Sequence, residues 1–229
     1  MIRKTIKFIS SFLFAQVIEQ RESKLSGSIE VLYANGKYVL DTARVNYSFG
    51  GLHKVFQTAF SRFKIRGREL KNVLILGFGG GSIASILQDE YKKDCAIAGV
   101  EKDSEIIALA KKYFSVDKYK KLTLYCEDAY EFVQRCDKKF DLIAMDIFVD
   151  IDIPEKFLDD TFLSAVSNLL SANGILFYNL VVYNEKIRDK GALLYRQMNR
   201  LIGKTEWSRI FIQRTENWVF VCDRSKTQE

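Results

Sequence analysis

The stretch from Val73 to Ser82 constrains the fold more than any other part of the chain. It reads Val-Leu-Ile-Leu-Gly-Phe-Gly-Gly-Gly-Ser, an aliphatic run that leads directly into a glycine cluster. A continuous apolar run without polar alternation is typical of a parallel strand that is buried on both faces. Glycine lets the backbone turn sharply and approach a ligand closely. Because residues 82–91 have a helical pattern, the stretch predicts the strand, turn and helix that open a nucleotide-binding βαβ unit.

A glycine cluster alone is as consistent with a plain tight turn as with a ligand site. The residues that follow favour a nucleoside site. Ala96–Val100 is a second apolar run, and it ends at Glu101, 24 residues after Gly77. In such folds a carboxylate about 20 residues on accepts hydrogen bonds from ribose hydroxyls. Glu101 is therefore predicted to bind a ribose, and the alternative is a solvated charge before a helix.

Composition excludes several classes of function. A chain of 229 residues with 48% hydrophobic residues can form a sizeable core, so disorder is not expected. The net charge is +6, but the Lys and Arg residues are scattered, which argues against a nucleic-acid partner. His53 is the only histidine, and the four cysteines are far apart without Cys-x-x-Cys spacing. The sequence therefore predicts no metal site.

The first residues raise the question of compartment. Ile2–Gln16 has a basic start and an apolar middle, as signal peptides do, but Lys7 interrupts the apolar stretch. No stretch approaches the roughly 20 apolar residues of a membrane-spanning helix. We expect a cytoplasmic protein without a membrane partner, with secretion as the alternative.

The order of the predicted elements indicates an α/β fold. Residues 1–47 form a small antiparallel β-unit around a hairpin at Asn35-Gly36, to which Thr5–Ile18 adds a strand or two. Residues 48–69 form a linker helix. Residues 70–229 alternate strands and helices, among them a helix near 104–114 and a strand over 174–182. This alternation predicts a Rossmann-like, doubly wound, mostly parallel sheet with an antiparallel C-terminal strand. The β-unit is too small to bury its own apolar runs, which predicts a homodimer.

Four predicted strand ends carry the residues expected at a ligand site. The carboxyl ends of parallel strands open into one crevice, so Gly77–Gly81, Glu101, Asp128 and Asp146 should lie together. Asp128 could accept a hydrogen bond from an adenine amino group, or it could cap the following helix. Asp146 is either a site residue or simply a polar strand end.

These motifs together resemble the spermidine synthase family, which shares its core fold with S-adenosylmethionine-dependent methyltransferases. The matching stretches are Gly99-Val-Glu101, Lys111-Lys-Tyr-Phe114, Glu127-Asp-Ala129 and Phe140-Asp-Leu-Ile-Ala-Met-Asp146. The resemblance implies that S-adenosylmethionine, or its decarboxylated form, is the ligand. It also implies that Glu101 binds the ribose and Asp128 the adenine. The full set of ligand-binding residues implied in this way is Gly77, Gly79, Gly80, Gly81, Glu101, Asp128, Ala129 and Asp146.

The acceptor half of the resemblance is incomplete. The family's glycine turn usually carries an Asp near the reacting amine, where this chain has Gly80. Val149 stands where the family has its catalytic base, so Asp146 or Asp150 would have to take that role. The linker-helix match, Leu52-His-Lys54, lacks the family's Tyr and acid. Methyl transfer to an unknown small-molecule acceptor is therefore expected. The alternatives are aminopropyl transfer with a relocated acid, or non-catalytic nucleoside binding.

Overall fold

The computed structural model describes residues 8–42, 46–48, 50–148, 153–212 and 215–226. Two sheets organise this part of the chain, one of four strands and one of seven. Within it, none of the helices is both long and apolar enough to cross a lipid bilayer. The predicted unit boundaries at residues 47 and 69 stay a prediction.

The four-stranded sheet is antiparallel and comes first in the chain. Its strands are β1 (Gln16–Ser23), β2 (Gly27–Ala34), β3 (Lys37–Thr42) and β4 (Asn46–Ser48), in that spatial order. The predicted hairpin is confirmed: Asn35 and Gly36 take φ values of 51° and 73°, which suit the tight turn between β2 and β3.

The expectation of strands over Thr5–Ile18 is largely wrong. Among the described residues the strand begins only at Gln16, and residues 8–10 are helical. Hydrogen bonds explain the difference, because Asn35 N donates to Ser11 O over 2.8 Å and Gly36 N donates to Ser11 Oγ over 2.9 Å. These bonds fold the segment against the β2–β3 turn instead of along a sheet edge. Residues 5–7 lie outside the described residues.

The seven-stranded sheet has the spatial order β10-β11-β9-β8-β5-β6-β7. Strands β5 to β9 are mutually parallel, and β11 runs antiparallel to both β9 and β10. This arrangement confirms the predicted Rossmann-like sheet with a reversed C-terminal strand. The strands are β5 (Asn72–Leu76), β6 (Ala96–Glu101), β7 (Leu122–Cys126), β8 (Phe140–Met145), β9 (Leu170–Val182), β10 (Thr205–Ile212) and β11 (Thr215–Asp223).

Helices cover both faces of this sheet, as expected for a doubly wound fold. One apolar layer lies between the sheet and α1 (Gly51–Arg62), α2 (Ser82–Ser85) and α3 (Ser104–Phe114). The second lies under α4 (Ala129–Arg135), α5 (Asp160–Leu169) and α6 (Glu185–Leu201). Helix α2 continues as a π-helical turn over Ile86–Glu90. Each parallel strand therefore carries its carboxyl end to the same edge of the sheet.

The N-terminal sheet is held on helix α3 by polar contacts from β1. Arg21 Nη1 donates to Glu105 Oε2 over 2.8 Å, and Ser23 Oγ donates to Asp103 Oδ2. Glu19 accepts from Lys112 and from the Tyr113 hydroxyl. These contacts bring the β1–β2 turn to the edge of the larger sheet, where the strand ends carry the predicted site residues.

Candidate functional site

A cleft with about 810 Å³ of empty space, open to solvent, lies at the carboxyl ends of β5 to β8. Strand β5 is flanked by β6 on one side and β8 on the other, so the order of successive strands across the sheet reverses at β5. Open α/β sheets bind their ligands at this kind of switch point. The lining comprises Leu25, Ser26, Gly77, Val100, Glu101, Lys102, Asp103, Glu127, Asp128, Ala129, Asp146, Ile147, Phe148, Pro154, Lys156 and Phe157.

The glycine turn is held closely against the neighbouring strands. Gly77 has a φ of +81°, and a Cβ there would lie 2.2 Å from the Asp146 carbonyl oxygen, so only glycine fits. Gly77 N and Phe78 N both donate to Val100 O over 3.0 Å. Gly77 lines the cleft, whereas the other three predicted glycines are buried outside its lining. These three are Gly79, Gly80 and Gly81. Much of the turn's hydrogen-bonding capacity is therefore used to fix its shape.

Glu101 is only 6% exposed and lies in the cleft wall. Its two carboxylate oxygens accept from Gly79 N and Asp103 N, each over 3.0 Å. Burial raises the pKa of Glu101, and the backbone hydrogen bonds from Asp103 and Gly79 offset part of that rise. One carboxylate thus joins the glycine turn to the start of α3. Each oxygen keeps a further lone pair for a ligand hydroxyl.

Asp128 both lines the cleft and caps helix α4. Its Oδ1 accepts from Tyr130 N over 2.9 Å, which is the capping alternative foreseen from the sequence. Its Oδ2 accepts from Lys156 Nζ over 2.7 Å and from Lys102 Nζ over 3.0 Å. Burial raises the pKa of Asp128, but the two ammonium groups hold it below its ordinary value. A role for Asp128 with adenine stays a prediction, as does that of its neighbour Ala129 in the cleft wall.

Asp146 is partly exposed and occupies the cleft wall beside β5. Its backbone N donates to Leu76 O over 2.9 Å, and its Oδ1 accepts from Asn179 Nδ2 over 3.0 Å. Burial raises the pKa of Asp146 to about 7, although the Asn179 hydrogen bond lowers it. A carboxylate with this pKa can accept a proton near neutral pH. Asp150, the other predicted base, and Val149 lie outside the described residues.

Most of the other lining residues were not predicted as site residues, and Lys102, Lys156 and Leu25 are three of them. Lys102 directly follows Glu101, so its position at a strand end was a usable signal. Lys156 comes from the segment after β8, and Leu25 comes from the N-terminal sheet, so nothing local in the sequence places them there. Both lysines contact the same oxygen of Asp128, so two ammonium groups face one carboxylate there.

The linker-helix residues lie elsewhere. His53 Nε2 is 2.7 Å from Glu90 Oε1, Lys54 is exposed and Leu52 is buried in the core. None of the three is part of the cleft lining of the described residues. The family resemblance would place an acidic side chain from this helix beside an amine. Among these three residues, helix α1 supplies no such side chain to the cleft.

Comparison with known proteins identifies relatives of two kinds. The polyamine aminopropyltransferase of Vibrio vulnificus (strain CMCP6) is 30% identical over 131 residues, which cover 56% of this chain and 43% of the relative. An eEF1A lysine and N-terminal methyltransferase homolog of Drosophila melanogaster is 29% identical over 129 residues, covering 52% of this chain and 19% of that protein. The matched region thus spans less than half the length of either relative.

Solved structures show the same fold at low sequence identity. Spermidine synthase from Thermotoga maritima superimposes with a TM-score of 0.69 at 17% identity, covering 91% of this chain and 73% of that one. Human methyltransferase-like protein 13, in complex with SAH, gives a TM-score of 0.61 at 19% identity, covering 75% and 82%.

The comparison that decides the family is with the spermine/spermidine synthase domain. Its sequence profile matches residues 57–190, which is more than half of the chain. The match begins in helix α1, runs through all four strand ends of the cleft and extends into helix α6. The chain therefore belongs to the spermine/spermidine synthase family.

Proposed function

We propose that this chain is a transferase that binds S-adenosylmethionine, or its decarboxylated form, and passes a methyl group to a small-molecule acceptor. One observation carries the proposal. The buried carboxylate of Glu101 lies in a cleft at the switch point of the sheet, hydrogen-bonded to the glycine turn. That combination suits a ribose held against a tight turn.

The residues of the cleft fit an adenosyl group. Glu101 has lone pairs left for two ribose hydroxyls, and Asp128 with Ala129 would border the adenine. Phe148 and Phe157 add aromatic surface to the same cleft. When bound, S-adenosylmethionine supplies a methyl group already activated by a sulfonium. The chain's own part is then to hold donor and acceptor in line and to exclude water.

Methyl transfer is favoured over aminopropyl transfer because the positions that match the family's acceptor-binding acids carry no acid in this chain. A polyamine carries at least two ammonium groups, and each needs a carboxylate to offset its lost hydration. Gly80 brings no acid to the glycine turn, and Lys54 points to solvent from helix α1. A methyl acceptor needs only one nucleophilic atom near the donor, which this cleft can accommodate.

Aminopropyl transfer is the second candidate, and the position and raised pKa of Asp146 favour it. Its carboxylate lies in the cleft with a pKa raised to about 7, so it could take the proton from an attacking amine. Polyamine aminopropyltransferases among the relatives give this candidate further support. A non-catalytic nucleoside-binding protein is the third possibility to be tested.

Two measurements separate these functions. Calorimetry with S-adenosylmethionine, its decarboxylated form and methylthioadenosine should show binding. Glu101→Gln should weaken the binding of all three, because it removes the charged acceptor. An overnight reaction with putrescine and decarboxylated S-adenosylmethionine, followed by chromatography, should give little or no spermidine.

Other outcomes would redirect the proposal. Multiple turnovers to spermidine would replace methyl transfer by aminopropyl transfer, and loss of that turnover in Asp146→Asn or in Asp150→Asn would assign the base. Absence of any nucleoside binding would overturn the proposal altogether. The predicted homodimer is a separate proposal, which light scattering at micromolar concentration would test.

A further inference from the structure

Five large apolar side chains are exposed in the short segment that leads into β1. Their exposed fractions lie between 48% and 81%, and all five fall within residues 8–14. Single exposed apolar residues are ordinary on a protein surface, but a group of them marks an interaction site. We call this group the apolar patch, and it consists of Phe8, Ile9, Phe12, Leu13 and Phe14.

The backbone of this segment is held so that a polar residue faces inwards. Ser11 is only 2% exposed, and its Oγ donates to Phe8 O over 2.6 Å. The same Oγ accepts from Gly36 N, and Gln16 Nε2 donates to Ser10 Oγ over 2.6 Å. A surface segment usually buries its apolar side chains and exposes its serines. That arrangement is inverted here, so packing within this chain does not account for the apolar residues.

Contacts with the β2–β3 turn fix one end of the apolar patch. The rings of Phe8 and Phe12 lie edge to face, with centroids 5.2 Å apart. Phe8 also lies against Gly36, where an added Cβ would be 2.7 Å from Phe8 Cε2. Leu13 and Phe14 are 81% and 60% exposed. The patch is therefore anchored on the hairpin and presents its remaining apolar surface to solvent.

The two segments that meet at the apolar patch carry positive charge only. Three basic residues precede the patch within five positions of Phe8, so the chain itself keeps their charges close. They are Arg3, Lys4 and Lys7, and the first acid of the chain is Glu19. In the second segment Lys37 is exposed and directly follows Gly36, and residues 31–40 contain no acid. Four cations and no anion therefore accompany the apolar side chains in these two segments.

We infer that the apolar patch binds the surface of a lipid bilayer that contains anionic lipids. Apolar side chains accompanied by basic residues insert into the headgroup region while the cations meet anionic headgroups. The patch spans only residues 8–14, too few to cross a hydrocarbon core of about 30 Å, so it lies in the interface. This departs from the expectation of no membrane partner, because a sequence does not show which apolar residues stay exposed.

A second copy of this chain fits the apolar patch less well. Two patches in contact would bring the basic residues of both copies together, and neither segment has an acid to offset them. The same charges attract an anionic surface. The homodimer proposed above would then use other surfaces of the N-terminal sheet. None of the five patch residues lines the cleft, so membrane binding is independent of the proposed function.

Flotation of the whole chain with lipid vesicles measures this binding. Vesicles of phosphatidylcholine with about 30% phosphatidylserine should bind the parent at least about tenfold more tightly than phosphatidylcholine alone. Leu13→Gln should weaken binding to the anionic vesicles about tenfold, because it removes a leucine side chain from the apolar contact. Lys37→Gln should weaken it about fivefold through the loss of one cation. Binding should also fall as the salt concentration rises.

A matched control separates the apolar patch from exposed apolar surface in general. Leu193 in α6 is 48% exposed, and Leu193→Gln should bind the vesicles as the parent does. Each variant should keep the melting temperature of the parent, and Phe14→Gln serves if Leu13→Gln does not fold.

Three results would overturn the inference. The first is a parent that does not float with the anionic vesicles, and the second is equal binding by the parent and the folded patch variant. The third comes from light scattering without lipid. A parent dimer that Leu13→Gln converts to a monomer would assign the apolar patch to a second copy of the chain instead.

Discussion

Replacing Asp146 by asparagine should change how the stability of the protein depends on pH. The pKa of Asp146 is raised from 3.8 to about 7, chiefly by burial. Between these two values the unfolded chain is ionised at this residue, while the folded protein keeps its proton. Unfolding then releases a proton, so the free energy of unfolding falls as pH rises through this window. Below this window both states are protonated at Asp146, and above it both are ionised. Outside the window this residue therefore adds no pH dependence to the free energy of unfolding.

The size of the effect follows from the two pKa values. Each pH unit in the window lowers the free energy of unfolding by up to about 1.4 kcal/mol, so the upper limit is about 4 kcal/mol. Because Asp146 is partly exposed, solvent screening reduces this, and we expect about 2 kcal/mol. Asparagine stays neutral and keeps the oxygen that accepts from Asn179. Asp146→Asn should therefore be more stable than the parent near pH 8, and nearly equal to it near pH 4.

Urea denaturation at a series of pH values measures this difference directly. Asp94→Asn is the matched control, since the Asp94 side chain is 85% exposed and pairs only with Lys121 among the described residues. The informative quantity is the free energy of unfolding of the variant minus that of the parent. If this difference is the same at pH 5 and pH 8, Asp146 is not a carboxyl group of raised pKa and the reasoning fails.

Three further substitutions test the site. Glu101→Ala should weaken methylthioadenosine binding in calorimetry and lower the free energy of unfolding in urea. The loss of stability follows because two buried N–H groups lose their acceptor, at about 1–3 kcal/mol each. An unchanged free energy of unfolding would contradict this role of Glu101 in holding the glycine turn. Gly77→Ala should lower the melting temperature, since its Cβ would meet the Asp146 carbonyl, whereas Gly67→Ala, with open space around it, should not. Ser23→Ala removes the hydrogen bond to Asp103 and should speed hydrogen exchange of the β1–β2 hairpin; exchange rates equal to those of the parent would argue against that contact.

The larger sheet could be predicted because its signals are local and repeated. The run from Val73 to Leu76 is apolar at every position, and the structure buries all of it in β5. Helix α3 was predicted at 104–114 and has those bounds, because its apolar spacing is regular and Asp103 caps it through Glu105 N. Strand ends of a parallel sheet meet at one edge, which is why the cleft followed from the sequence.

Features made by distant parts of the chain could not be predicted. Lys156 reaches Asp128 across 28 residues, and no pattern in the sequence links the two. Strand β9 begins at Leu170, earlier than the predicted start at 174, because Leu170 pairs with Phe140. The stretch Ser171-Ala-Asn-Gly174 has the composition of a turn, and sheet pairing overrides that preference. The hydrogen bond from Asn179 to Asp146 was missed for the same reason, since the two residues come from different strands.

The cleft takes part of its wall from the N-terminal sheet, and this has a thermodynamic consequence. Leu25 and Ser26, in the turn after β1, line the cleft, and the nearby Ser23 is hydrogen-bonded to Asp103 at the start of α3. A ligand that touches this turn adds a contact between the two sheets. By linkage, whatever free energy the ligand gains from Leu25 must also appear as firmer attachment of the N-terminal sheet. Binding of such a ligand would therefore add to the contacts that already hold the two sheets together.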